Sequence, residues 1–240
     1  MEQTTPSFFA HNIDLVGYHD LNGKPAFKLA LQEVNGRWYL YLAHLWHRGW
    51  SIVDVTDPAA PEYVAFIPGP ENTWTIQIQV AEDKMITALE RIAPGWGGDE
   101  GKAFAEGFLV WDVSRPREAR RLGHYRTGGT GTHRNFYDGG ALVHAAGGAP
   151  GYDGKIYQIV DISNPARPKQ ISSFALEEQK KDAPQAVKSG AKLSLHGPAH
   201  VEGDRAYLSY GDAGGIVLDV SDMKAPRAVS RLEFRGLTSR

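Results

Sequence analysis

The chain has 240 residues, 42% of them apolar, and a formal net charge of -2. That composition is ordinary for a soluble globular protein, and it supplies no basic field for nucleic acid or an anionic membrane surface. Cysteine is absent, which excludes disulfides, zinc–thiolate sites and thiol nucleophiles.

No run approaches the ~20 apolar residues of a membrane helix. The N-terminal stretch MEQTTPSFFAHNID has neither a basic region nor an apolar core of the secretory type. A reducing cytoplasm is the expected location.

In chain order, the first extended segment is FKLALQEV, followed by an NG turn at Asn35 and a second strand, RWYLYLAH (Arg37 to His44). Next comes GWSIVDVTDP (Gly49 to Pro58), whose β-branched Ile52, Val53 and Val55 favour the pleated conformation. Asp54 with the following Thr can bond nearby amides, and Pro58 fixes φ, so the strand is predicted to run into a tight turn. EYVAFI then reads as a fourth strand.

The same order recurs three times. WTIQIQVA, KMITALE and GFLVWDVSRP precede ARRLGHY; HRNFY, ALVHAA and IYQIVDISNP precede KQISSFA; HGPAHV, RAYLSY and GGIVLDVSDM precede AVSRLEF. The ten-residue phrase begins at 49, 107, 156 and 214, spacings of 58, 49 and 58, with Asp54, Asp112, Asp161 and Asp219 in the sixth place. Recurrence at this period marks a repeat architecture.

Four-stranded antiparallel units repeated in this way predict an all-β propeller, not a β-sandwich. The expected blades are residues 10–70, 71–128, 129–176 and 195–240, with 177–194 a solvated insertion. A uniform place in every unit assigns the four aspartates to turn structure.

These phrases, written here SIVDV, LVWDV, QIVDI and IVLDV, resemble the LVIVD-repeat family of β-propellers along essentially the whole chain. GYHDLNGKPAFK, TGGTGTHRNFYDGG and LHGPAHVEGDRAYLSYGDAG resemble one bacterial subgroup, mostly uncharacterised. That subgroup is distantly similar to selenium-binding protein and methanethiol oxidase propellers. The resemblance implies further blades, since such members are longer. Three arrangements are open: a truncated chain, which is favoured; a true four-blade ring; or completion by a second chain. An incomplete ring leaves unpaired blade edges, which favour self-association.

The long loops, GWGGDEGKAF within 91–106, TGGTGT at 127–132, 147–154 and 176–194, are all predicted to lie on one face, the top. Trp46, His47 and Trp50 form an aromatic cluster expected to pack between blades. TGGTGT has no GK[ST] ending and reads as a turn between blades before an anion site.

His133 and His196 open the innermost strands of adjacent blades and are expected at the channel mouth. His200 shares a face with His196 in a regular strand. His44 and Glu90 end second strands on the same face. Two uses are open for these residues. His133, His196, Arg134 and Glu90 would be catalytic, as acid, base and anion anchor. Alternatively, His133, His196, His200 and His44 would hold a divalent transition metal such as Zn, Fe, Cu or Mn.

The functional expectation is a small-molecule enzyme of lyase, hydrolase or oxidase type. The alternative is a non-catalytic propeller that binds a ligand or protein. No G-x-S-x-G, H-E-x-x-H, EF-hand or dinucleotide motif is present.

Overall fold

A computed structural model describes residues 11–187 and 190–233. The parts of the predicted first blade, insertion and last blade that fall at 10, 188–189 and 234–240 lie outside the described residues. The described residues form antiparallel β-structure with short 3-10 turns and no α-helix. None of their helices is long and apolar enough to cross a membrane.

The first unit is β1 (Ala26–Val34), β2 (Arg37–His44), β3 (Gly49–Asp54) and β4 (Glu62–Pro68), hydrogen-bonded in that order. In the second unit the inner strand is split into β5 (Thr73–Trp74) and β6 (Ile78–Ala81), both pairing β7 (Lys84–Arg91); β8 (Gly107–Asp112) and β9 (Arg120–Tyr125) complete it. The split has a visible cause. Thr75 turns to the first unit, where its hydroxyl donates to the His44 carbonyl (2.8 Å) and accepts from the Gly49 amide (2.8 Å).

The third unit is β10 (Gly131–Phe136), β11 (Leu142–Gly148), β12 (Lys155–Asp161) and β13 (Lys169–Phe174). The fourth is β14 (His200–Glu202), β15 (Arg205–Ser209), β16 (Gly215–Asp219) and β17 (Arg227–Leu232). Units two and three are not separate sheets. A bridge between Gly131 and Glu90 joins β10 to β7, making one sheet of nine strands in which β5 and β6 also pair β7.

All four aspartates are turn residues. The carboxylates of Asp54, Asp112, Asp161 and Asp219 accept from the amide two residues on, in Thr56 (3.1 Å), Ser114 (3.0 Å), Ser163 (2.7 Å) and Ser221 (3.0 Å). The next aliphatic amide ties the phrase back to the start of strand two: Val55 donates to Trp38, Val113 to Asp83, Ile162 to Ala141 and Val220 to Asp204. Bonds from Ser114, Ser163 and Ser221 hold the carboxyls of Asp112, Asp161 and Asp219 below the usual carboxylate range.

Apolar side chains fill the spaces between successive units. Tyr41, Trp50 and Ile52 pack with Ile78, Met85 and Trp111 between the first and second. Ile86 and Phe108 pack with Val143 and Val160 between the second and third. Tyr157 and Ile159 pack with Ala206 and Leu218 between the third and fourth. Trp50 is buried edge-on to Trp111 (5.5 Å), so it is packing. Trp46 instead stays exposed, stacked on the exposed Trp96 (5.9 Å).

The insertion is less solvated than its composition predicts. Buried Gln179 donates to the carbonyls of Asp153 (3.1 Å) and Lys155 (3.1 Å), which anchors the segment to unit three.

The third-to-fourth interface contains a buried imidazole. His144 is stacked on Tyr157 and hydrogen-bonded to its hydroxyl through Nδ1 (2.6 Å). Burial pushes its pKa down to about 4. The unfolded chain therefore binds the extra proton first as pH falls, and native stability drops between the ordinary histidine pKa, about 6.5, and about 4. The shift corresponds to roughly 3 kcal/mol. Thermal melts should fall steeply across that window, and His144→Gln should flatten the fall although it lowers stability at pH 8. An unchanged pH slope in the variant would show that His144 does not carry it.

Candidate functional site

The site forms where units two and three meet. Gly131 pairs with Glu90 across the joint, and a bulge between Thr132 and Arg134 carries His133, whose side chain lies against Glu90. Gly131 has φ +93°, and a Cβ there would lie 2.1 Å from the Leu89 carbonyl oxygen, so the close approach needs glycine. His133 Nδ1 lies 2.5 Å from Glu90 Oε2, with both residues buried. Lys155, opening β12, places Nζ 3.0 Å from the other carboxylate oxygen. A carboxylate facing Nδ1 selects the Nδ1–H tautomer, which leaves the Nε2 lone pair free. That Nε2 is buried and has no hydrogen-bond partner.

His196 supplies the outer wall, its ring centroid 4.9 Å from that of His133 and tilted by 35°. Partial burial lowers its pKa, and the neighbouring His133, Arg134 and Lys155 lower it further, against the opposing pull of Glu90. The ring is accordingly neutral at pH 7.

Arg134 is half-buried. Its Nη1 donates to Gln77 Oε1 (3.1 Å), and its guanidinium lies over the Phe27 ring at 5.4 Å. Burial pushes its pKa down, opposed only by the charge of Glu90. Among the described residues no carboxylate lies within ion-pair distance of it. Its remaining N–H donors are suited to an anion.

The sequence candidates divide into two groups. Glu90, His133 and His196 come together, with Arg134 following His133 in the same strand. His44 does not join them. It is enclosed in unit one, with Nδ1 3.1 Å from the Pro25 carbonyl oxygen and Nε2 2.8 Å from Ser51 Oγ. His200 does not join them either. It packs at the edge of Phe136 (6.1 Å) and near Tyr207 (6.0 Å).

The physical reason is Pro198. It lacks an N–H, β14 starts only at His200, and the regular strand that would align His196 with His200 does not form. No group of three or more His, Asp or Glu side chains among the described residues is arranged to hold a metal ion. Of the expected set of His133, His196, His200 and His44, the structure brings only His133 and His196 together.

The glycine-rich loop is likewise committed: the Thr127 amide (2.7 Å) and hydroxyl (2.8 Å) both donate to Glu106 Oε2. Two residues were missed from sequence. Lys155 precedes the one phrase that opens with Ile156 where the other three open with glycine, a departure that marks the position. Gln77 sits in the break between β5 and β6, which no sequence feature announced.

The fold defines an all-β, propeller-like repeat protein. It superposes on the designed propeller Ika8 with TM-score 0.52 and 8% identity, covering 88% of this chain and 49% of that one. On the designed Ika4 the TM-score is 0.51 at 9% identity, covering 88% and 99%. The chain thus spans about half the length of Ika8 and nearly all of Ika4. A slighter likeness, TM-score 0.45 at 11% identity over 90% of this chain and 72% of the other, is to a functionally unknown protein from Desulfotomaculum acetoxidans DSM 771.

More particularly, the chain carries the LVIVD repeat: residues 153–175, the third phrase with its following strand, match that family's description. No curated protein matches the chain.

The charges around His196 make a titration prediction with a sign. In NMR titrations, Arg134→Met and Lys155→Met should each raise the His196 pKa by removing a cation, and Glu90→Gln should lower it further. A His196 pKa unmoved by all three would mean that its ring does not face this cluster.

Proposed function

We propose that the four units are blades of a propeller arc whose site carries out acid–base chemistry on a small anionic molecule. The supporting observation is the buried Nε2 of His133, left without a partner while Nδ1 is held on Glu90. In this reading Nε2 takes a proton from the substrate, and Glu90 stabilises the imidazolium that forms. Lys155 fixes the second carboxylate oxygen, so the Glu90 side chain cannot swing away. Arg134 binds the anionic group, preferentially a carboxylate, which suits its planar donors. Neutral His196 covers the site and exchanges a hydrogen bond with bound substrate. Proton transfer of this kind underlies lyase and hydrolase reactions alike.

The test is deuterium exchange at C3 of small 2-oxo acids and at C2 of small 3-hydroxy acids, followed by proton NMR. His133→Ala should lower exchange by ~10² to 10⁴-fold. Arg134→Met should chiefly raise KM, and Glu90→Gln should chiefly lower kcat. Carboxylate binding without exchange, unaffected by His133→Ala, would instead favour the ligand-binding scaffold.

A further inference from the structure

We infer that the first and fourth units are the two unmade halves of one inter-unit contact, and that a second copy of this chain makes it. This rests on the reading of the units as blades of an open arc, but not on the chemistry assigned to the site.

Register makes the units comparable position by position. The strand-two residue paired opposite the residue two before the phrase aspartate is Tyr41, Ile86, His144 and Tyr207 in turn. This position faces the following unit. Tyr41 and Ile86 are 0% exposed and His144 is 5% exposed, but Tyr207 is 44% exposed. In the innermost strand, the residue preceding that position's partner is Leu29, Ile78, Asn135 and Ala199. This position faces the preceding unit. Ile78, Asn135 and Ala199 are at most 1% exposed, but Leu29 is 59% exposed.

The exposed large apolar side chains have the same distribution. Of fourteen among the described residues, eleven fall in residues 13–38 or 207–232. Isolated chains do not usually leave such patches bare.

The occupant follows from complementarity. What covers a Tyr207-type face inside the chain is a Leu29-type face, three times over, so a copy of this chain brings the matching half at each end. The chain spans 49% of Ika8 and 99% of Ika4, and the bare faces at both ends are those of an arc that has not closed on itself. Two copies, the fourth unit of each on the first unit of the other, make a twofold ring of eight units.

In the single chain, residues 11–19 hold part of this place. Gly17 is set against the Pro58 carbonyl as Gly123 of β9 is set against that of Pro165, so the segment stands where an incoming outer strand would pass. It has no place in any sheet ladder, and an incoming β17 displaces it.

Light scattering with size exclusion should give twice the 26.3 kDa chain mass for the full chain. Leu29→Glu and Tyr207→Glu should each give monomers with an unchanged circular dichroism spectrum. Gly17→Leu, which cannot keep the segment on Pro58, should lower the dimer dissociation constant at least several-fold. Should a charged variant misfold, the cysteine-free background allows another check: Leu29→Cys with Tyr207→Cys together should oxidise to a covalent dimer, and neither alone should.

A monomeric wild type overturns the inference and leaves the faces to another occupant. Oligomers that grow with concentration overturn ring closure. A dimer insensitive to Tyr207→Glu overturns the pairing of unlike ends, and weaker association of Gly17→Leu overturns the displacement of residues 11–19.

Discussion

Everything in this molecule is positioned by one short-range interaction, made four times. An aspartate carboxylate accepts the amide two residues ahead, and the intervening amide bonds back across the unit. The aspartate is the last paired residue of its strand, and its side-chain oxygen caps the turn that follows. The third strand therefore ends at a fixed height in every unit. Its other end, and the loops beyond it, are then aligned on one face without any further instruction. A functional group at that face inherits its coordinates from turns at the far end of the sheet.

The site depends on a second constraint, the joint between units two and three. Glu90 is the penultimate residue of β7, His133 lies in β10, and Lys155 opens β12. No one unit contains the cluster. Buried ionisable groups of this kind are costly unless mutually satisfied. Here Glu90 is satisfied from both sides by His133 and Lys155, while Nε2 of His133 is not. The protein has solved its own electrostatics around the carboxylate and left one atom open. That buried, unpartnered nitrogen is the feature on which the proposed acid–base role rests.

Much of the fold was legible because the phrase carries both a strand signal and a turn signal. The run of aliphatic residues and the Asp-plus-Ser/Thr pair recur in each unit, and the structure puts a strand and a turn there every time. The strand order also put His133 at the start of one strand and Glu90 near the end of another, and the structure brings the two together. The rest was set by contacts that have no local pattern. Thr75 breaks its strand to reach a different unit, and Pro198 removes a donor and parts His196 from His200. His44 faces the interior of unit one, where a serine and a carbonyl receive it. Lys155 meets its carboxylate only where β12 brings it to Glu90.

The bridge between Gly131 and Glu90 has a further consequence, for cooperativity. Because it joins units two and three in one hydrogen-bonded sheet, those two cannot part without breaking the bridge. Units one and four are joined to their neighbours chiefly by apolar packing, which is released more gradually. Local opening in repeat proteins follows such boundaries. The middle pair is therefore expected to open together, and the Glu90–His133 pair lies at its seam. Fluctuation at the ends is thereby kept apart from the geometry of the site.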